Sequence, residues 1–405
     1  MIETVRGFRD ILPPLSIKRQ KVLEVIRKYF TLYGFLPIDT PLIEYDELLK
    51  GDNENDSAVS ERFRLKDRGE RNLGLRYEFT VQLSRILKEN PNIKLPFKRW
   101  QIGSNFRDEP TGPGRYREFI QCDADSIGDP SIQADAECLA LASSILNELG
   151  IQYKILINNR KLVNEICADL GIDNVPDVLK EIDKLDKSGA IEVKINLVKY
   201  VDKEKIVRLF EMLEKNLTDL VKAGYEGAKE IKELQKYCKM YSLKPEFSPS
   251  LVRGLSYYTG SVFEIKEKTG KTSNTIASGG RYNKKVGKYL GKEIPAVGIS
   301  FGLDRIEEIA DIKVINTTVL MISIEKDQEA ISLAEKLRKE NIPIILQFGK
   351  ISKGLEYANA LALPYVLFLG ADEVKAKKYK IRDMKSGKEE MVGIQDLMKK
   401  LAPKK

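Results

Sequence analysis

The 405-residue chain contains no histidine. That absence excludes Ser–His and Cys–His nucleophilic centres, HExxH zinc sites and imidazole general bases together. Any chemistry must therefore run on carboxylates, arginines, lysines and tyrosines. Cysteine is scarce as well. The four residues at 122, 138, 167 and 238 form no CxxC pair and no close cluster, which argues for ordinary core thiols rather than a disulfide framework or a thiolate metal site. No apolar run approaches the roughly 18 residues of a membrane span. The opening MIETVRGFRDILPP lacks the apolar stretch of a signal peptide, so a cytoplasmic location is expected. No repeat of fixed period and no low-complexity tract is visible.

What is present describes a globular chain of two or three domains, with 42% hydrophobic and 32% charged residues. The net charge of +8 is unevenly placed: residues 314–405 carry 17 Lys and Arg against 12 Asp and Glu, a surplus of +5. A basic terminal module suggests a polyanionic partner, and a solvated lysine-rich surface fits the count equally well.

Periodicity gives the order of elements. In IKRQKVLEVIRKYFTLYGF, Val22, Val25, Ile26, Tyr29 and Phe30 recur at helical spacing, and Gly34 falls where a C-cap is expected. LPIDTPLIEY reads as extended, with Pro37 and Pro41 suiting an edge or interface strand. RFRLKDRGERNLGLRYEFT predicts two strands around the turn Lys66 to Asn72, and residues 97–128 predict two more, joined by a loop rich in Pro and Gly. A helix follows at about 131–149. Between roughly 165 and 245 the pattern becomes Lys/Glu/Leu-rich and helical, and strand character returns at 249. IPAVGISFGLDRIEEI predicts a strand turning through glycine into a helix. From 314 on, TTVLMISI, IPIILQF and PYVLFLG alternate with helices at about 327–340 and 353–361, the pattern of a separate α/β domain. The expected division is a first domain in two parts, 1–164 and 248–313, interrupted by a helical insertion at 165–247 and followed by a terminal domain at 314–405.

Two nucleotide motifs fail. Gly270-Lys271-Thr272 ends like a phosphate loop, but Ile265 stands where its upstream glycine belongs, and no GxGxxG follows a strand. If a nucleotide binds, arginines must hold it. Arg107, Arg115 and Arg117 bracket a Thr-Gly-Pro-Gly turn with Glu109 and Glu118 interleaved. Guanidinium forks suit phosphate oxygens, although a hairpin tip carrying surface ion pairs would look the same. Glu78 and Asp125 read equally as strand-end carboxylates paired with neighbouring cations. Tyr257 and Tyr258, at adjacent positions of a predicted strand, are expected to point to opposite faces, with at least one in the core.

Taken in order, RGFRDILPP, GFLPIDTPLIEY, LRYEFT, FRDEPTGPGRYREFIQCDADSIG, LVRGLSYYTGSVFE, SGGRYN and AVGISFGLDRI closely resemble the histidyl-tRNA synthetase family of class II aminoacyl-tRNA synthetases. The resemblance covers all but the helical insertion, RGLSYYTG is its specific element, and LRYEFT and RYREFIQCDADSIG look more like archaeal and eukaryotic members than bacterial ones. It implies an α+β fold: an antiparallel-sheet catalytic domain with a helical insertion, plus a C-terminal α/β anticodon-binding domain. It also implies ATP and L-histidine as substrates, Mg2+, tRNA(His) as partner, and a homodimer with TPLIEY at its interface.

The resemblance assigns roles residue by residue. The histidine carboxylate would attack the α-phosphate of ATP, so fixed cations must meet the charge that develops there. Arg107 and Arg253 would do so from two sides as catalytic residues. Arg115 would hold the γ-phosphate, Phe119 and Arg305 would sandwich adenine, and Glu109 would lie near its amino group. Glu78 and Thr80 would bind the α-ammonium and Gln121 would stand beside the carboxylate. Asp125 and Tyr258 would bond the imidazole nitrogens, with Tyr257 in the same pocket and Tyr282 closing it. Arg253 and Tyr258 on one segment would thereby align both reactants. The chain departs from the family's pattern at Ser256, Ser278 and Asn283. Pro110 and Gly112 stand where bacterial relatives carry residues directed at the tRNA acceptor end, which leaves the reading of that end open. The alternative within the same fold is a histidine-sensing regulatory subunit of ATP phosphoribosyltransferase, a paralogue that typically lacks both the catalytic arginine and the terminal domain.

Overall fold

Two ten-residue runs flank the arginine-bearing loop, Phe97–Phe106 and Glu118–Ile127. Their period of two sends alternate side chains to opposite faces of a sheet. Cys122 and Ala124 thus enter the main hydrophobic cluster, while Asp123 and Asp125 face a cleft.

The computed structural model describes residues 2–50, 60–112, 114–252, 257–268, 274–312 and 318–402. The chain forms two compact units, Met1–Ile312 and Lys313–Lys405. Strands of the first unit are β1 (Leu36–Pro37), β2 (Ile43–Tyr45), β3 (Arg64–Lys66), β4 (Asn72–Leu75), β5 (Phe97–Phe106), β6 (Glu118–Ile127), β7 (Tyr153–Asn159), β8 (Glu246–Phe247), β9 (Ser261–Glu267), β10 (Thr275–Arg281) and β11 (Ala296–Gly302). One sheet has the order β1-β5-β6-β11-β10-β9-β7-β8, and β2-β4-β3 form a smaller one. Pairing in the large sheet is antiparallel except at its margins, where the short β1 and β8 run parallel to β5 and β7. The edge position of β1 accommodates Pro37, which has no N–H for a ladder.

Helices cover one face of this sheet. Helix Ile132–Glu148 packs on β11 and is backed by helices Leu15–Leu32 and Glu226–Met240. Leu162, Val178, Leu209 and Leu234, from the helical stretch that interrupts the strands, belong to the same cluster as Cys122 and Phe301. Close approach is needed there: a Cβ on Gly227 would lie 2.2 Å from the Leu162 nitrogen. Buried ion pairs tie the N-terminal helix to helix Leu303–Ile309. Arg19 reaches Glu307 at 2.5 and 2.7 Å and also bonds Asp304, to which Arg9 is paired.

The second unit contains β12 (Val319–Ser323), β13 (Ile344–Phe348), β14 (Tyr365–Leu369), β15 (Lys378–Asp383) and β16 (Glu389–Gly393), in the order β13-β12-β14-β15-β16. β12, β13 and β14 are parallel, as the alternation with helices Asp327–Lys339 and Ile351–Ala360 predicts. The antiparallel extension by β15 and β16 was not apparent from the sequence. β15 carries a short alternation, Tyr379 and the buried Ile381 between Lys378, Lys380 and Arg382, whereas β16 is mostly exposed and shows none, so the pair gives only a weak strand signal.

Candidate active site

The face of the large sheet opposite that helical layer floors a cavity of about 1060 Å³. β6 acts as its ruler. Phe119, Gln121, Asp123 and Asp125 all line it, and residues two apart on one strand face are separated by roughly 7 Å. Register then brings the neighbours in. Asp125 lies opposite Arg99 of β5 and Gly298 of β11, and Asp123 lies opposite Gln101 and Ser300. Asp125 Oδ2 is 2.6 Å from Arg99 Nη2, and its Oδ1 accepts a hydrogen bond from the Tyr282 hydroxyl. Burial pushes the Asp125 carboxyl up, while Arg99 and the Tyr282 hydrogen bond pull the other way. Burial raises Asp123 to about 7, opposed by Arg99 and reinforced by Asp125. Gly298 has no freedom to be anything larger, because a Cβ there would stand 1.9 Å from Asp125 Oδ1.

Glu78 and Thr80 enter the cavity from the turn between β4 and helix Val81–Glu89. Both are buried, and Thr80 occupies the helix N-cap. Glu78 Oε1 accepts a 2.7 Å ion-pair hydrogen bond from Lys285, whose Nζ also lies 3.9 Å from the centre of the Tyr257 ring. The Tyr257 hydroxyl points to Glu78 Oε2 at 3.5 Å. Tyr257 and Tyr258 do not diverge as an extended strand would require. Their ring centres are 4.9 Å apart, Tyr282 stands edge-on to Tyr257 at 5.9 Å, and all three line the cavity. The reason is local: these two residues lie in the turn before β9, where a period of two does not apply.

The other end of β6 is cationic. The Arg107 guanidinium stacks 4.9 Å from the Phe119 ring and donates through Nη2 to the Tyr77 carbonyl at 3.3 Å. Its Nε has no hydrogen-bond partner among the described residues. Arg115 is paired with the buried Glu109. Burial disfavours that carboxylate, but Arg115 and Arg107 outweigh it and hold its pKa below the usual value. Arg305, at the cavity edge, donates to the Thr275 carbonyl at 2.7 Å. Gln121 sits midway with its amide fixed by Asn105 and Ser300, both at 2.7 Å. Arg253 and Ser256 lie outside the described residues, as do Gly270, Lys271 and Thr272.

One cavity thus gathers Glu78, Thr80, Arg107, Glu109, Arg115, Phe119, Gln121, Asp125, Tyr257, Tyr258, Tyr282 and Arg305. It presents carboxylates and phenols at one end and guanidiniums at the other. Sequence reading missed Arg99 and Lys285, the cations that meet Asp125 and Glu78. A signal for the first existed: an arginine interrupts the β5 run at a position that the β5–β6 hairpin places across from the second of two alternate aspartates. Nothing in the spacing pointed to Lys285.

Comparison with known proteins gives the arrangement a family. Residues 7–306 match the model for histidyl-tRNA synthetase, and residues 316–404 match that for an anticodon binding domain. A histidine–tRNA ligase of Bacillus cereus is 34% identical over 419 aligned positions, covering 98% of this chain and 96% of the relative. One from Aeropyrum pernix is 34% identical over 396 positions, covering 91% of each. Overall identity therefore does not follow the archaeal and eukaryotic look of two motifs. The crystal structure of histidyl-tRNA synthetase from Nostoc sp. PCC 7120 superposes with a TM-score of 0.87 at 26% identity, over 99% of both chains. A structure described as an ATP phosphoribosyltransferase regulatory subunit/histidyl-tRNA synthetase from Bacillus halodurans gives 0.76 at 23%, over 89% of this chain and 96% of that one, a likeness of fold alone. With its antiparallel catalytic sheet and its C-terminal anticodon-binding domain, the chain belongs to the histidyl-tRNA synthetase family of class II aminoacyl-tRNA synthetases.

Proposed function

We propose that this chain is an ATP-dependent histidine–tRNA ligase in which β6 lays the two substrates end to end. The observation that carries the reading is the single-face series Phe119, Gln121, Asp125, with the Arg107 guanidinium at one end and the Tyr282–Asp125 hydrogen bond at the other. Histidine's imidazole N–H would donate to Asp125, Tyr258 would meet the second ring nitrogen, and Tyr257 and Tyr282 would enclose the ring. Glu78 and Thr80 would take the α-ammonium. The carboxylate is thereby left near Gln121, facing the α-phosphate.

In that alignment one carboxylate oxygen attacks the α-phosphorus, the bond to the bridging oxygen breaks, and pyrophosphate leaves. Arg107 and Arg253 would meet the charge on the phosphoryl oxygens, and Arg115 would exchange Glu109 for the γ-phosphate. Phe119 and Arg305 would hold adenine, with Glu109 near its amino group. The adenylate is then consumed by the terminal hydroxyl of tRNA(His), whose anticodon would rest on the basic second unit. Mg2+ would arrive with the nucleotide. The buried Glu109 and its neighbour Glu61 line the cavity, but no cluster of three acidic or thiol ligands is present among the described residues. A homodimer would cover Leu36, Leu42, Ile43 and Tyr45, which are exposed on β1, β2 and the segment between them. A cytoplasmic location fits a tRNA substrate, and no helix among the described residues is long and apolar enough to cross a membrane.

ATP–pyrophosphate exchange with each of the twenty amino acids tests the reading. Histidine alone should support rapid exchange, because a pocket that bonds both ring nitrogens rejects analogues lacking them by roughly 10⁴-fold or more. No exchange with any amino acid would favour the histidine-sensing regulatory alternative.

A further inference from the structure

Arg99 is wholly buried, and nothing in the chemistry above uses it. Its Nη2 lies 2.6 Å from Asp125 Oδ2 as an ion pair, yet none of Nε, Nη1 and Nη2 has a hydrogen-bond partner among the described residues. A guanidinium so incompletely bonded is held there chiefly for its charge. The reason is on the facing strand: Asp123 and Asp125 are both buried, two residues apart, on one face of β6. Asp123 leaves Oδ1 without a hydrogen-bond partner among the described residues. Two desolvated carboxylates at that separation repel each other, and without a cation one or both would take up a proton. Among the described residues, the remaining groups around them do not supply that cation. Glu78 adds a third negative charge that Lys285 already meets, Tyr282 and Ser300 are neutral donors, and the Cys138 thiol from helix Ile132–Glu148 is pushed up by burial and stays protonated.

We infer that Arg99 is a positioning residue for amino-acid recognition: it keeps Asp125 ionised and aimed at the imidazole by offsetting the second buried carboxylate, Asp123. The inference rests on Asp125 being the imidazole's acceptor. Arg99 and Asp123 then work as a matched pair. The pair lets a carboxylate stay ionised without water around it at the bottom of the pocket, where a neutral carboxyl would offer the ring N–H a weaker acceptor.

The test is the histidine KM in pyrophosphate exchange, measured between pH 6.5 and 8.5 for Arg99→Met, Asp123→Asn, the double variant Arg99→Met/Asp123→Asn, and Asp125→Asn. Loss of Arg99 should raise the histidine KM by roughly 10- to 100-fold, the cost of exchanging a charged hydrogen-bond acceptor for a neutral one, with the ATP KM little changed. That KM should improve, relative to the parent, as the pH rises and Asp125 regains its charge. The double variant restores the charge balance and should recover most of the loss, which a purely structural role for Arg99 would not allow. A folded Arg99→Met variant with the parental KM overturns the inference. So does a double variant that is no better than the single, or one that cannot fold. Should Arg99→Met alone fail to fold, a folded double variant with a near-parental KM supports the inference. If Asp125→Asn leaves the KM unchanged, the assignment of Asp125 itself is wrong. If Asp125→Asn raises it and Arg99→Met does not, only the role of Arg99 falls.

Discussion

A carboxylate that is to bond an imidazole N–H must be ionised and fixed, and burial opposes the first requirement. The cleft meets this conflict with three charged side chains rather than one, and the cost should be visible in stability. The folded Asp123 carboxyl titrates at about 7, against 3.8 for an unperturbed one. Between those values the folded state keeps a proton that the unfolded chain has lost, so this group's contribution is complete below about pH 3.8 and is lost as the pH rises towards 7. Asparagine does not titrate. Asp123→Asn should therefore gain stability relative to the parent as the pH rises from 4 to 8, by at most about 1.4 kcal/mol per pH unit. Thermal unfolding of both proteins across that range is the measurement, and a difference that stays constant would remove Asp123 as the titrating group. Arg253 belongs to this scale too. If it meets charge that develops mainly in the transition state, Arg253→Ala should lower the adenylation kcat by roughly 10²- to 10³-fold with a much smaller change in the histidine KM. Arg253→Lys should restore little, since an ammonium lacks the planar fork. Single-turnover adenylation decides it, and a rate within a few-fold of the parent would leave Arg253 a structural role only.

At the scale of the element, β6 and β11 are packed to the limit where Asp125 meets Gly298. A Cβ at 298 would also stand 3.1 Å from the Ala124 carbonyl, so Gly298→Ala cannot be absorbed by turning one flexible side chain. Overpacking of this kind costs about 1–3 kcal/mol and would push the Asp125 carboxylate off the imidazole. The histidine KM should rise at least about tenfold, on the same scale of energy, while the ATP KM stays near the parental value. Equal losses for both substrates would instead report a general distortion of the sheet. The elements themselves were legible where periodicity was long. β5 and β6 alternate over ten residues each, and helix Leu15–Leu32 keeps its buried stripe of Val22, Ile26 and Phe30. Tyr258 does join a buried cluster, as expected of one of the pair, but the expectation of opposite faces failed because two residues of a turn carry no periodicity to read.

For the whole molecule, each unit has hydrophobic clusters of its own, built in the second unit on Val319, Leu337 and Leu367 and on Leu320, Val366 and Phe368. A chain ending at Ile312 should therefore fold and keep pyrophosphate exchange within a few-fold of the full-length protein, while losing most charging of tRNA(His). Loss of exchange in a folded truncation would show that the catalytic unit depends on the second one. Charging by the full chain should also weaken steeply with added salt, as a basic surface that binds phosphates requires, whereas exchange should respond far less.

Residue types and their order determined the chemistry here. With no histidine, the chain had to rely on arginines, carboxylates and tyrosines, and the order of its motifs was enough to suggest which substrates these would serve. Strand period fixed which of them share a face, since alternation is a local property of the backbone. Only the tertiary structure decided what each charge meets. Arg99 reaches Asp125 through the register of a hairpin, and Lys285 reaches Glu78 across 207 positions of sequence. Such pairings depend on how sheets and helices pack, and burial then sets the electrostatics, so neither can be read from spacing along the chain.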